Sequence, residues 1–424
     1  MRAAEPCQES SPGRPLSPAM RLLAACADWL PPSGAAAARL SQVRAAAAEI
    51  GDWPDFAAHV RRHRVAGLVS DAFAQAKLDV PVCAAGPIRR MTKRAARQAL
   101  AATTELGRLA ELCRESGPAF AVIKGVPLSG RVYGNIGLRH AKDIDLLVAP
   151  DQVDAMADAL ERLGYRPSEL RPTDGQGLRT LWYRARKDLP FRNPQTGVEI
   201  ELHWRLLNNE QLLNLPFDAG RLVEVALGPR ISAPVLRLDD EFAYLCAHGA
   251  GHGWVRLKWL ADIHAILAQR SAEGIEDLYR HAARLGAGRA AAQAIVLSAW
   301  VFRTPVPPTF LDRLEAQSSV RLLSEIAFRA VTRAGGREHD DVPFATLTTG
   351  LSRLLLGGGL RYWRREVALT LMNPEEFMAF GLPDRMAGIY PLLRPALWVA
   401  SQLGAGRKPA RTVPRGPVKT GRRG

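Results

Sequence analysis

Short apolar runs bounded by glycine and proline occur in one stretch of this chain, between residues 119 and 204, and the text on both sides reads as helix. That contrast limits the architecture more than any other feature. Ala119-Phe120-Ala121-Val122-Ile123, set between Gly117-Pro118 and Gly125, suits a buried strand. Asp143-Ile144-Asp145-Leu146-Leu147-Val148 suits a second. A strand is expected around Leu181 to Ala185, and another from Val198 to Trp204, after a loop with Asn193-Pro194 and Gly197. Pro127 to Tyr133 reads as a short helix. Pro150 and Asp151 open an amphipathic helix, with Asp151 as its N-cap, that ends near Gly164. The expected class is α+β, a small mixed sheet flanked by mostly helical N- and C-terminal regions.

The flanks divide by their breakers. Residues 1–19 read as a flexible leader and 20–87 as a helical region broken at Pro31-Pro32 and near Gly51. A long helix from Ile88 to about Glu115 opens an α/β core over 88–206. Residues 207–403 read as a helical domain punctuated by prolines, and 404–424 as a disordered basic tail. At 424 residues the chain can bury a sizeable core without disulfides or metal staples.

Charge and cysteine usage narrow the setting. The net charge of +15 is concentrated in places: seven Lys or Arg and no acid between Arg407 and Arg423, and a run of Arg89, Arg90, Lys93, Arg94 and Arg97 on the long helix. The reading preferred for both is a solvated surface, with nucleotides, RNA or anionic lipid as the acidic partners such charge would suit. The five cysteines, Cys7, Cys26, Cys83, Cys113 and Cys246, are scattered, odd in number and never form a CxxC pair; neither a disulfide framework nor a zinc site follows from that spacing, and a reducing cytoplasm fits best. The polar, acid-bearing first twenty residues are not a signal peptide. Apolar runs stop well short of the ~20 residues a membrane span needs, although peripheral contact with a membrane remains open.

The chemistry is carried by acids on the sheet segment. Residues two apart on a strand share a face, so Asp143 and Asp145 point one way and Ile144 and Leu146 the other. Two carboxylates about 6–7 Å apart along a strand repel unless a cation lies between them. Glu199, Glu201 and His203 repeat the device. If the two strands are neighbours, three carboxylates converge and suit two Mg²⁺ ions, which take oxygen ligands and leave positions for water and phosphate. Lys124-Gly125 puts a cation and a permissive backbone at a strand end, before a helix N-terminus that can receive phosphate. Arg139, four residues ahead of Asp143, can reach the same phosphates. His203, on the face of Glu201, suits three roles equally open at this point: orienting a carboxylate, touching substrate, or a satisfied, partly buried histidine.

Lys124-Gly125, Tyr133-Gly134, Leu138-Arg139, Asp143-Ile144-Asp145-Leu146-Leu147-Val148 and Glu201-Leu202-His203-Trp204-Arg205 together resemble the landmarks of a bacterial nucleotidyltransferase family, similar in its core to the DNA polymerase beta superfamily. The resemblance implies Gly125 for the glycine motif, Asp143 and Asp145 for the paired acids, and Glu201 for the third acid, with Glu199 its competitor. It also implies an NTP donor, ATP being the expected one, and an unidentified acceptor. Lys124-Gly125-Val126 departs from the Gly-Ser or Gly-Gly usual in the superfamily, which reads as a subfamily feature. Two other functions fit the same residues: a non-catalytic nucleotide- or partner-binding accessory protein, and a nucleic-acid-directed transferase or toxin guided by the basic tail.

One more segment stands out. If His248 to Asp262 were a single helix, His248, His252, Val255, Trp259 and Asp262 would share a face. Packing against the catalytic segment is its expected role, lining the pocket a further one. Tyr362 to Arg365 and the apolar run after them are read as core.

Overall fold

The computed structural model describes residues 14–29, 36–170, 174–333, 335 and 345–402. Residues 1–13 of the expected leader and the whole basic tail lie outside the described residues. Four short helices, α1 (Pro18–Ala27), α2 (Ala36–Ala48), α3 (Trp53–His63) and α4 (Ala66–Ala76), precede the long α5 (Val82–Ser116). The α/β segment follows as β1 (Phe120–Val122), α6 (Val126–Tyr133), β2 (Ile144–Val148), α7 (Val153–Arg162), β3 (Arg166–Pro167), α8 (Gln176–Ala185), β4 (Asp188–Arg192) and β5 (Glu199–His203). A hairpin, β6 (Val223–Gly228) and β7 (Ile231–Val235), leads into α9 (Leu238–Gly251), α10 (Leu257–Leu267), α11 (Ala272–Arg284), α12 (Gly288–Phe302), α13 (Pro308–Glu315) and α14 (Ser318–Thr332). The last helices are α15 (Ala345–Leu356), α16 (Leu360–Leu371), α17 (Pro374–Ala379) and α18 (Tyr390–Gln402). The class is α+β with helical flanks, as the patterning implies.

Several local expectations are corrected. Residues 181–185 are helix: Leu178, Leu181, Trp182 and Ala185 are buried at helical spacing, and the strand begins three residues later at Asp188. Asp151 caps nothing, because Pro150–Gln152 wind as a 3₁₀ turn and α7 starts behind them with no side-chain cap. The long helix starts at Val82 and carries Pro87 inside it, with Pro81 at its N-cap. Helix α1 begins within the segment read as leader, since Ser17 accepts from the Met20 amide at 3.4 Å and Pro18 fits the first turn. The β6–β7 hairpin was not foreseen after Leu206; its alternation is blurred by alanine and glycine, and Pro229-Arg230 makes the turn.

The five-stranded sheet runs β1-β2-β5-β4-β3, with β2 and β5 parallel and every other pair antiparallel. Both faces of its central strands are buried, against different cores. Ile144, Leu146 and Val148, with Ile200 and Leu202 of β5, belong to a core shared with α5, α7 and the C-terminal Phe377 and Tyr390. Leu147, with Ala121 and Ile123, belongs to the larger core of α1–α4 and α9–α14. Asp143 and Asp145 have the parity of Leu147, so the acidic face of β2 is turned toward the helical side.

Candidate active site

The parallel register sets Asp145 opposite Glu201 and Leu147 opposite His203. Asp145 is 1% exposed and has three close neighbours. The Lys124 ammonium, in the turn after β1, lies 2.8 Å from Asp145 Oδ1. His203 Nε2 lies 3.2 Å from the same oxygen and 3.4 Å from Glu201. Asp145 Oδ2 is buried and has no hydrogen-bond partner among the described residues. Ligand atoms of Asp145, Glu201 and His203 all fall within 4.8 Å of one another. Carboxylate oxygens with one buried and unmatched are a donor set that fits a divalent cation.

The charges are unevenly balanced. Burial alone would raise the Asp145 carboxyl, but Lys124 and His203 hold it well below the usual carboxylate range. Asp143 is pushed the other way, by burial and then by the charges of Asp145 and Glu201. Burial works against the Lys124 ammonium, yet Asp145, with Glu201 and Asp143 behind it, more than reverses that and keeps it charged. For His203, burial and Lys187 oppose the imidazolium, but bonds to Asp145 and Glu201 outweigh them and the net shift is upward. His203 is fully buried and in contact with Asp145.

Asp143, Asp145, Glu201, Lys124, Gly125 and Arg139 all line one cavity of about 500 Å³, a volume within the range of small-molecule sites. Gly125 sits at φ +82 where the chain leaves β1 for α6, a conformation that suits glycine. Glu199 is outside the cavity lining and is taken up by Lys142 at 2.6 Å. Arg139 lines the cavity and is also held by an acid from a distant helix. Its Nε donates to both oxygens of Asp262, at 3.0 and 2.8 Å, and Asp262 also accepts from the Tyr133 hydroxyl at 3.0 Å.

Sequence reasoning missed Asp188, which the register places opposite His203 on β4. Its carboxylate lies 3.7 Å from His203 Nε2 and 2.5 Å from Lys187 Nζ, and it lines the cavity as a fourth acid. The signal was the helical spacing of Leu178 to Ala185, which moves the strand onto Asp188. Lys258 of α10 was also missed. The segment from His248 to Asp262 is not one helix: α9 stops at Gly251, Gly253 and Trp254 adopt positive φ, and α10 restarts at Leu257. A Cβ on Gly249 would lie 2.4 Å from the Trp254 ring, which accounts for that glycine. The turn still brings His248, His252 and Trp259 together, with ring centroids 4.7 to 5.6 Å apart, on the cavity wall.

A second group able to hold a metal, Asp239, Asp240 and His281, is already matched by Arg221 at 2.9 Å and by Arg237. No helix among the described residues is long and apolar enough to cross a membrane. A family model described as an uncharacterised nucleotidyltransferase matches residues 50–303, more than half the chain and the whole of α3 to α12. Comparison with curated proteins finds no match.

Proposed function

The chain belongs to the uncharacterised nucleotidyltransferase family, and from that premise we propose that it transfers a nucleoside monophosphate from an NTP, with ATP the expected donor, to an acceptor hydroxyl or phosphate, releasing pyrophosphate. The observation that carries the reading is the register of β2 and β5, which sets Asp145, one of its oxygens unmatched, opposite Glu201, with Asp143 on the same cavity. Asp143, Asp145 and Glu201 would hold Mg²⁺ ions there. When bound, such ions supply Lewis-acid charge for the attacking and leaving oxygens of an in-line displacement. The chain's own groups do the rest. Gly125 lets the backbone approach the phosphates at the start of α6, and Lys124 passes its charge from Asp145 to the donor. His203 fixes the Asp145 carboxylate through its hydrogen bond.

The test is pyrophosphate release from NTP with Mg²⁺. Asp143→Ala and Asp145→Asn are expected to lose it while keeping the wild-type circular dichroism spectrum; unchanged release in both variants rejects the reading. The Lys124–Asp145 pair also favours a second reading, a non-catalytic nucleotide-binding accessory in which the ammonium permanently takes the cation's place. ATP binding without pyrophosphate release in the wild type identifies it.

A further inference from the structure

Besides the carboxylates and Lys124, the cavity is lined by further cations. Lys258, on α10, lines it together with Arg139 and Arg64. The Lys258 ammonium donates to the His140 carbonyl at 3.3 Å and forms no ion pair among the described residues. Asp262, one turn along the same helix, is the nearby carboxylate, but Arg139 and Tyr133 already occupy it. Arg139 has a donor to spare. Its side chain is 3% exposed, and its Nη2 has no hydrogen-bond partner among the described residues. Arg64 closes α3 in the left-handed conformation at φ 56, which holds its backbone at the cavity wall.

This arrangement costs stability as it stands. A lysine in a desolvated position beside two arginines loses hydration and gains repulsion. Burial, Arg139 and Arg64 together hold the Lys258 ammonium well below the usual lysine range. An incoming anion would offset the repulsion among these cations, and it would satisfy the unmatched Nη2 of Arg139 with a charge-assisted hydrogen bond. Two cations lining one cavity, one of them an arginine fork, suit a phosphoryl group with its several oxygens and double charge.

We propose that Lys258 and the spare Nη2 of Arg139, with Arg64 beside them, form a phosphate subsite that receives a phosphoryl group of a substrate. That group is the pyrophosphate end of the donor nucleotide or a phosphate carried by the acceptor. The proposal rests on the cavity being the substrate site, as argued above, and it assigns binding chemistry to helices outside the α/β segment.

Isothermal titration calorimetry of the full-length protein with inorganic pyrophosphate, in EDTA, is the test. The wild type binds, Lys258→Met binds at least tenfold more weakly, and Lys258→Arg recovers part of the loss. Lys258→Met is also expected to unfold at the same temperature as the wild type or higher, which a merely structural lysine would not allow. Should that variant fold poorly, Lys258→Gln makes the same comparison. Asp145→Asn keeps pyrophosphate binding, so a failure of nucleotidyl transfer and a failure of the subsite are read separately. Repeating the titration with a non-hydrolysable ATP analogue and Mg²⁺ distinguishes the sources. Displaced pyrophosphate assigns the subsite to the donor and retained pyrophosphate to the acceptor, and either result upholds it. Equal affinity in wild type and Lys258→Met, or no binding by the wild type, overturns the proposal.

Discussion

Removing the ammonium of Lys124 tests how the acidic cluster is held together without metal. Lys124 is 14% exposed and Asp145 1%, and their 2.8 Å contact is worth about 6 kcal/mol of attraction at an effective dielectric of about 20, before desolvation is charged against it. Breaking a buried pair by deleting one partner costs about 3–5 kcal/mol, because the other charge stays behind. Lys124→Met should fall at the low end, about 3 kcal/mol, since His203 still reaches Asp145 Oδ1 at 3.2 Å. Asp145→Asn should cost somewhat less, about 2 kcal/mol, because Glu201 and Asp143 still attract the ammonium. Independent effects would sum to about 5 kcal/mol, whereas coupled partners should leave the double variant near 3 kcal/mol.

The same cycle read with divalent metal is the sharper measurement. A ligand at a hundredfold its dissociation constant stabilises the folded state by about 2.7 kcal/mol. In Lys124→Met the carboxylates are open to Mg²⁺, so that gain should be realised in full. In the wild type the ammonium must first leave Asp145, so the gain should be smaller. Urea unfolding in EDTA and in MgCl₂ reads both quantities. Additive costs in the cycle, together with equal Mg²⁺ stabilisation of wild type and Lys124→Met, would refute the idea that lysine and metal share one place.

Other outcomes follow from particular contacts. Asp188→Asn should lower turnover about tenfold with little change in KM, because Asp188 acts through His203 and not on the donor; an unchanged kcat contradicts this. Gly67→Ala should destabilise by about 1–3 kcal/mol and weaken pyrophosphate binding, since the added Cβ lies 2.3 Å from the Leu138 carbonyl oxygen, next to Arg139. A variant as stable as the wild type removes that account. Burial pushes the Glu241 carboxyl up to about 7 against the pull of Arg131, from an ordinary value of 4.5. The folded state therefore holds its proton more tightly, and the contribution is complete below pH 4.5 and lost as pH rises through 7. At about 1.4 kcal/mol per unit it is about 3 kcal/mol, and Glu241→Gln should flatten the slope of stability between pH 4.5 and 7.

How much was legible depended on whether a signal was local. The Asp-x-Asp strand and the Glu-x-His strand announce themselves by a period of two, and their pairing needed the single assumption that β2 and β5 are neighbours. Lys124-Gly125 was legible as a strand end. The pairing of Arg139 with Asp262 was not, because that acid lies on a helix 123 residues away and nothing in the loop signals it. Asp188 was hidden by assigning the buried residues from Leu181 onward to a strand, although Leu178, Leu181, Trp182 and Ala185 follow a helical period. Lys258 follows a break at Gly251 to Trp254 that the sequence displays as two glycines, but its neighbours Arg64 and Arg139 come from distant segments.

The sheet's two buried faces explain why this site is crowded with internal cations. An acidic strand face turned to water would be solvated and would need no counterion. Here Asp143 and Asp145 have the parity of Leu147 and are turned toward the helical side, where Asp145 is buried and Asp143 half-buried, so water stabilises them less. The chain answers with Lys124, His203 and Lys187 at the carboxylates, and lines the same cavity with Lys258 and Arg139. For such a cavity to turn over a polyanionic nucleotide, cations holding the acids must be freed as metal arrives, while Lys258 and the spare Nη2 of Arg139 must gain an acceptor they lack at rest. Positive charge is wanted at the carboxylates and negative charge at Lys258, and a metal-bound nucleotide is a ligand of the right charge to meet both at once.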